Sequence, residues 1–95
     1  MKIPSSFKLG GLTWKVVLRK RLPGRYGECD LAKTTIYIRS NISQELMEQT
    51  FCHELAHAIK FAMGILQENH DEQEIDAFAT FLHQFLTSAE YEDTN

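Results

Sequence analysis

The sequence predicts an α+β fold, a small two- or three-stranded sheet packed on two successive helices. Three observations carry that expectation. Leu12 to Leu18 is dense in β-branched and aromatic residues, and Thr34 to Arg39 alternates in the manner of a half-buried strand. From Ser43 onward, apolar residues recur at helical spacing in two blocks parted by Gly64. In chain order, Gly10-Gly11 breaks the backbone before the first strand, and Pro23-Gly24 with Gly27 punctuates a loop. Cys29-Asp30-Leu31 adds a short strand, with Ala32-Lys33 as the turn into Thr34–Arg39. Ser43 is a good N-cap, Gln44-Glu45 suit the positive end of a helix, and Ile42 can staple onto Met47. That first helix runs to Met63 and stops at Gly64, the C′ residue. A second helix begins near residues 69–71 and runs to about Thr87 on Ile75, Phe78, Ala79, Leu82, Phe85 and Leu86. With 95 residues, the chain is expected to be one domain, residues 1–10 and 88–95 being loose termini.

The first helix carries His53-Glu54-Leu55-Ala56-His57, an H-E-x-x-H match. Residues i and i+4 share a helix face about 6 Å apart, so two imidazoles can converge on one Zn²⁺. Glu54 lies one step round the helix, where it can reach a metal-bound water as general base without being a ligand.

A catalytic zinc takes three protein ligands and keeps one position open. The acidic segment after Gly64 offers Glu68, His70, Asp71, Glu72, Glu74 and Asp76 for the third. Glu72 is favoured because Glu72 and Asp76 are i and i+4, so one can bind the ion while Asp76 accepts a hydrogen bond from a ligand histidine. They also share a stripe with His83 and Ala79, whose small side chain leaves room beside the other helix. Glu74 has a separate use as the N3 partner of Asp71 in a capping box, but Asn69 with Glu72 is a possible box as well. Glu74 and His70 therefore stay open as alternatives.

The combination of His53-Glu54-Leu55-Ala56-His57 with Glu72, Asp76, Phe78 and Ala79 resembles the gluzincin pattern of a zinc helix followed by a glutamate helix. Residues 72–79 are similar to the E-x-E-A-N-x-F-A stretch of ImmA/IrrE-type metallopeptidases, with Ile75 and Asp76 standing where that stretch has Ala and Asn. Over residues 12–86 the chain resembles the minigluzincins. An SprT-like pattern needs a late histidine, for which His70 is available, but no H-G-x-x-F-type sequence follows it. A metzincin pattern is excluded, because Lys60 and Met63 stand where it needs Gly and His. The resemblance implies a zinc metallo-endopeptidase acting on a peptide or protein substrate. It also implies that the strand with Ile36, Tyr37 and Ile38 is the rim that pairs an extended substrate. The oxyanion helper would be one of His83, His70, Tyr91 and Tyr26, and the acidic tail around Tyr91 would fold over the cleft. The alternative is a zinc-stabilised, non-catalytic interaction or regulatory module on the same ligands, closed by a further ligand such as Cys29 or His70.

Composition narrows the rest. Hydrophobic residues at 43% and charged ones at 24% are globular values, and no apolar run reaches the roughly 20 residues of a membrane span. A net charge of −3 gives no electrostatic case for nucleic acid, even though Lys15, Arg19, Lys20, Arg21 and Arg25 make the first third basic. Residues 1–6 contain no apolar signal core, and Cys29 and Cys52 are too few for a disulfide scaffold, so a reducing cytoplasm is expected. Cys52, Trp14, Phe51, Phe61, Phe78, Phe81 and Phe85 read as core.

Overall fold

Gly10 and Gly11 have φ of 58° and 82°, the left-handed conformation that a two-residue hairpin turn requires. They join β1 (Ser6–Leu9) to β2 (Leu12–Arg19), with Leu9 opposite Leu12. After the loop, β3 (Gly27–Asp30) turns through residues 31–34 into β4 (Thr35–Arg39). The two helices follow, α1 (Gln44–Ala62) and α2 (Glu72–Ser88), with a 3-10 turn at Gln67–Asn69 between them. The computed structural model describes residues 1–92.

The sheet order is β1-β2-β4-β3, with β2 and β4 parallel and both hairpins antiparallel. β4 therefore lies in the interior, and β3 takes the edge. α1 packs on the sheet with one side and on α2 with the other. This explains why Phe51, Cys52, Ala56, His57 and Ala58, pointing in several directions, are all buried on one helix. Trp14, Ile36 and Ile38 meet Phe51, Cys52 and Ala79 in the core.

The α+β architecture agrees with the expectation, and the sheet gains a fourth strand, β1. The N-terminal segment is a correction. Residues 1–10 are not loose: Met1, Ile3, Phe7 and Leu9 pack against the core, and Phe7 stacks on Trp14 with ring centroids 6.4 Å apart. Burying these apolar side chains offsets the entropy of ordering the segment. Phe78, Phe81 and Phe85 are a second correction. They are 46%, 69% and 60% exposed, because α2 rests chiefly on α1 through Ile75, Ala79 and Leu82, and its other apolar side faces solvent. In the tail, Tyr91 is 81% exposed rather than folded onto the domain, and residues 93–95 lie outside the described residues.

Glu48 on α1 ties three parts of the chain together. It accepts hydrogen bonds from the Met1 ammonium at 3.1 Å and Gln44 Nε2 at 3.1 Å, and pairs with His83 Nε2 on α2 at 3.2 Å. The bond from the ammonium, foremost, holds the Glu48 carboxyl below its ordinary range. A carboxyl depressed in the folded state adds stability above its unfolded pKa and loses it as pH falls through the folded value. Glu48→Gln is therefore expected to be less stable than wild type at pH 7, the gap closing as the pH is taken below about 4. Urea denaturation of both proteins across that range checks the sign.

Candidate metal centre

Two helix termini set the geometry. α1 stops in a Schellman motif: Ile65 N–H reaches Lys60 O at 3.0 Å and Gly64 N–H reaches Phe61 O at 2.9 Å, with Gly64 at φ 81°. α2 starts on Asp71, whose Oδ1 accepts from Gln73 N at 3.0 Å and Glu74 N at 3.4 Å. Asp71 and not Asn69 is the cap, so Glu72 is not engaged in a capping box. It occupies the first turn of α2, facing α1.

His53, His57 and Glu72 converge there, with one donor atom of each within 4.8 Å of the others. Glu72 Oε1 lies 3.2 Å from His57 Nε2, and Glu72 Oε2 lies 3.5 Å from His53 Nε2. A tetrahedral zinc with bonds near 2.0–2.1 Å separates its ligand atoms by roughly 3.3 Å. The three side chains thus fit a zinc ion in both donor chemistry and spacing. Asp76 Oδ1 lies 3.0 Å from His53 Nδ1, which leaves Nε2 as the nitrogen of that ring that faces Glu72. Burial holds the His57 imidazole below the ordinary histidine range, favouring the neutral form that a ligand requires.

The remaining acidic and histidine candidates separate cleanly. Glu74 pairs with Lys60 and is not in the three-residue cluster among the described residues. His70 is not in the three-residue cluster among the described residues, but its Nδ1 lies 2.8 Å from His57 Nδ1, on the side of that ring opposite Glu72. No local sequence signal reports this contact, since it depends on how the loop of residues 63–71 folds back. Cys29 is also outside the cluster, and burial, then Glu54, Asp30 and Glu28, push its thiol up to about 12. A thiol kept protonated is a poor metal ligand.

Glu54 is buried between α1 and β3. Burial, followed by the carboxylates of Glu72 and Glu28, pushes it up to about 7. A cation seated among the three donors would oppose that rise by simple Coulomb attraction. Gly27 makes the close approach of β3 possible. A methyl group there would lie 2.5 Å from Thr50 Cγ2 and 3.0 Å from Glu54 Oε2. Gly27→Ala is expected to push β3 off the helix, lower stability by about 1–3 kcal/mol and displace the Glu54 carboxylate. Thermal denaturation together with activity of the folded fraction measures both effects.

A cavity of about 590 Å³ opens beside His53 and Glu54, lined also by Arg25, Tyr26, Gly27 and His83. A second, of about 660 Å³, lies at the other end of β3 against Cys29, Leu31, Phe61 and Leu66. Of the four candidate oxyanion helpers, His83 and Tyr26 line the first cavity, His70 sits behind His57, and Tyr91 is exposed. The assignment of Ile36, Tyr37 and Ile38 to substrate pairing requires correction. β4 is hydrogen-bonded on both sides, to β2 and β3, and Ile36 and Ile38 are fully buried, so it has no edge to offer. The free edge beside Glu54 belongs to β3.

No helix among the described residues is long and apolar enough to cross a membrane. Residues 5–92 match the model of the SprT-like family. No curated protein and no solved structure matches the chain. The match corrects the expectation drawn from sequence, which set the SprT-like family aside for want of an H-G-x-x-F-type sequence after His70, and it gives no support to the ImmA/IrrE branch in particular.

Proposed function

The chain belongs to the SprT-like family, and from that premise we propose that it is a zinc-dependent endopeptidase, with His53, His57 and Glu72 as ligands. The observation that carries the reading is the three-donor cluster with a buried carboxylate, Glu54, beside it on the cavity wall. Zinc, when bound, supplies Lewis acidity for the scissile carbonyl and for the attacking water. Glu54 takes the proton of that water and delivers it to the leaving amine. Asp76 keeps His53 in the ligating tautomer. An extended peptide adds to the free edge of β3, its main chain running between the two cavities and its side chains entering them.

The non-catalytic alternative needs a closed site, and structural zinc normally has four protein ligands. Among the described residues the cluster has three, which favours turnover. The test is incubation of the purified protein with a mixed library of unstructured peptides, before and after removal of metal by a chelator. Cleavage that is lost on chelation and restored by stoichiometric zinc supports the proposal. A zinc-loaded, folded protein that leaves the whole library intact rejects it.

A further inference from the structure

We propose that the outer face of α2 is a dimerisation surface, on which a second copy of this chain lays its own α2 antiparallel. Phe78, Phe81 and Phe85 stand at i, i+3 and i+7, so they form one stripe along the helix. All three are exposed, whereas Ile75 and Ala79 of the same helix are buried and Leu82 packs against the core. Phe81 follows Glu72 by nine residues and Phe85 follows Asp76 by nine, which is about two and a half helical turns. The stripe therefore points away from the side that carries Glu72 and Asp76 to the histidines. Covering it leaves the metal centre open.

The charge pattern points to the occupant. A solvated helix face normally carries charged residues, and 24% of the chain is charged. Yet the stretch from Ala77 to Ala89 contains no Asp, Glu, Lys or Arg. Glu74, the charged residue nearest the stripe on the helix, is already paired with Lys60. A basic partner would find no free carboxylate beside the phenylalanines, and an acidic one no cation. An aromatic centre depleted of charge is the composition of an interface core. The stripe also complements itself. When two copies of α2 run antiparallel about a point between residues 81 and 82, Phe78 of each lies level with Phe85 of the other. Phe81 then meets its counterpart near the axis, as an isologous contact requires. The area is sufficient. At about 200 Å² for a whole aromatic side chain, the three phenylalanines leave roughly 350 Å² bare. With Ala77, Gln84, Leu86 and Ser88 around them, two copies would bury roughly 1,200 Å², the lower end of what specific, stable complexes use.

Sedimentation velocity of the purified full chain over a dilution series reads the association. The expected result is a reversible monomer–dimer equilibrium with Kd of about 1–100 µM, the weak end for an interface of this size. No larger species should form, because an isologous contact closes on itself. Glu72, Glu74 and Glu90 lie toward the two ends of the pair, where like charges meet, so added salt should tighten the dimer or leave it unchanged. Phe81→Glu sets two carboxylates near the axis and should raise Kd at least about 30-fold, the cost of losing a central anchoring side chain, with an unaltered circular dichroism spectrum. Phe81→Cys should cross-link to its counterpart under mild oxidation. Phe78→Cys should not, because the two copies of that position stand about 10 Å apart along the axis. Wild type, with Cys52 buried and Cys29 half-buried, is the control for both. A monomer throughout the series, a dimer weakened by salt, open-ended polymers, an undiminished Phe81→Glu dimer, or equal cross-linking of the two cysteine variants would each overturn the proposal. Should Phe81→Glu fail to fold, the wild-type series and the two cross-linking variants still decide.

Discussion

Replacing Glu54 with glutamine is expected to leave zinc bound and to lower peptide cleavage by at least about 100-fold, the lower end of what a positioned general base contributes. Glutamine has nearly the shape of glutamate, so the packing of this side chain against Gly27 and Thr50 survives. What it loses is the ability to accept a proton. Glu54 is not among the three clustered donors, so the metal content should not change. Removal of a buried carboxyl whose charge is opposed by burial and by Glu72 should make the variant as stable as wild type or more so. Activity lost together with zinc would mean that Glu54 serves the metal rather than the proton. Activity retained by a pure variant would exclude its role as base.

Saturating zinc is expected to raise the melting temperature markedly, and His57→Ala to erase the rise. Any ligand that binds only the folded state stabilises it by mass action, about 2.7 kcal/mol at a free concentration 100 times its dissociation constant. For a domain of this size each kcal/mol moves the midpoint by roughly 4–8 °C, so a shift of about 10–20 °C follows. The effect should be large here because the cluster bridges α1 and α2, so a bound ion ties the first turn of α2 to the middle of α1. Glu72 is more than half exposed, so it is held on the helix pair by few contacts besides those to the histidines. Scanning calorimetry of wild type and His57→Ala, each with chelator and with zinc, measures the shift. An equal rise in both proteins would place the stabilising ion elsewhere.

Local rules were enough for the two helices and the donors they carry. Ser43, Gly64 and Asp71 mark helix ends by chemistry that involves only their neighbours, and the i, i+4 pairs follow from helix geometry alone. Asp71 even settles a choice left open in the sequence, since capping by Asp71 leaves Glu72 free to face the histidines. Non-local pairing was harder to read. Nothing in residues 35–39 says that β2 and β3 will flank them on both sides, because strand order arises from contacts far apart in sequence. β4 therefore reads from sequence as the rim, whereas the free edge lies on β3. Ser6–Leu9 is a four-residue strand, too short for alternation to stand out, and its real signal was the Gly10-Gly11 hairpin turn.

Phe78, Phe81 and Phe85 mislead for a related reason. Apolar periodicity shows that a helix has an apolar side, not that a partner covers all of it. His70 was visible only as one more possible ligand. Its contact with the back of His57 depends on the path of residues 63–71, a loop with no periodicity to read.

X-ray absorption at the zinc edge of the purified, stoichiometrically loaded protein tests the metal centre most directly. Two imidazole nitrogens and two oxygens near 2.0 Å, one carboxylate and one exchangeable, are the expected shell. A sulfur ligand, a third imidazole, or four protein donors closing the ion off would contradict it.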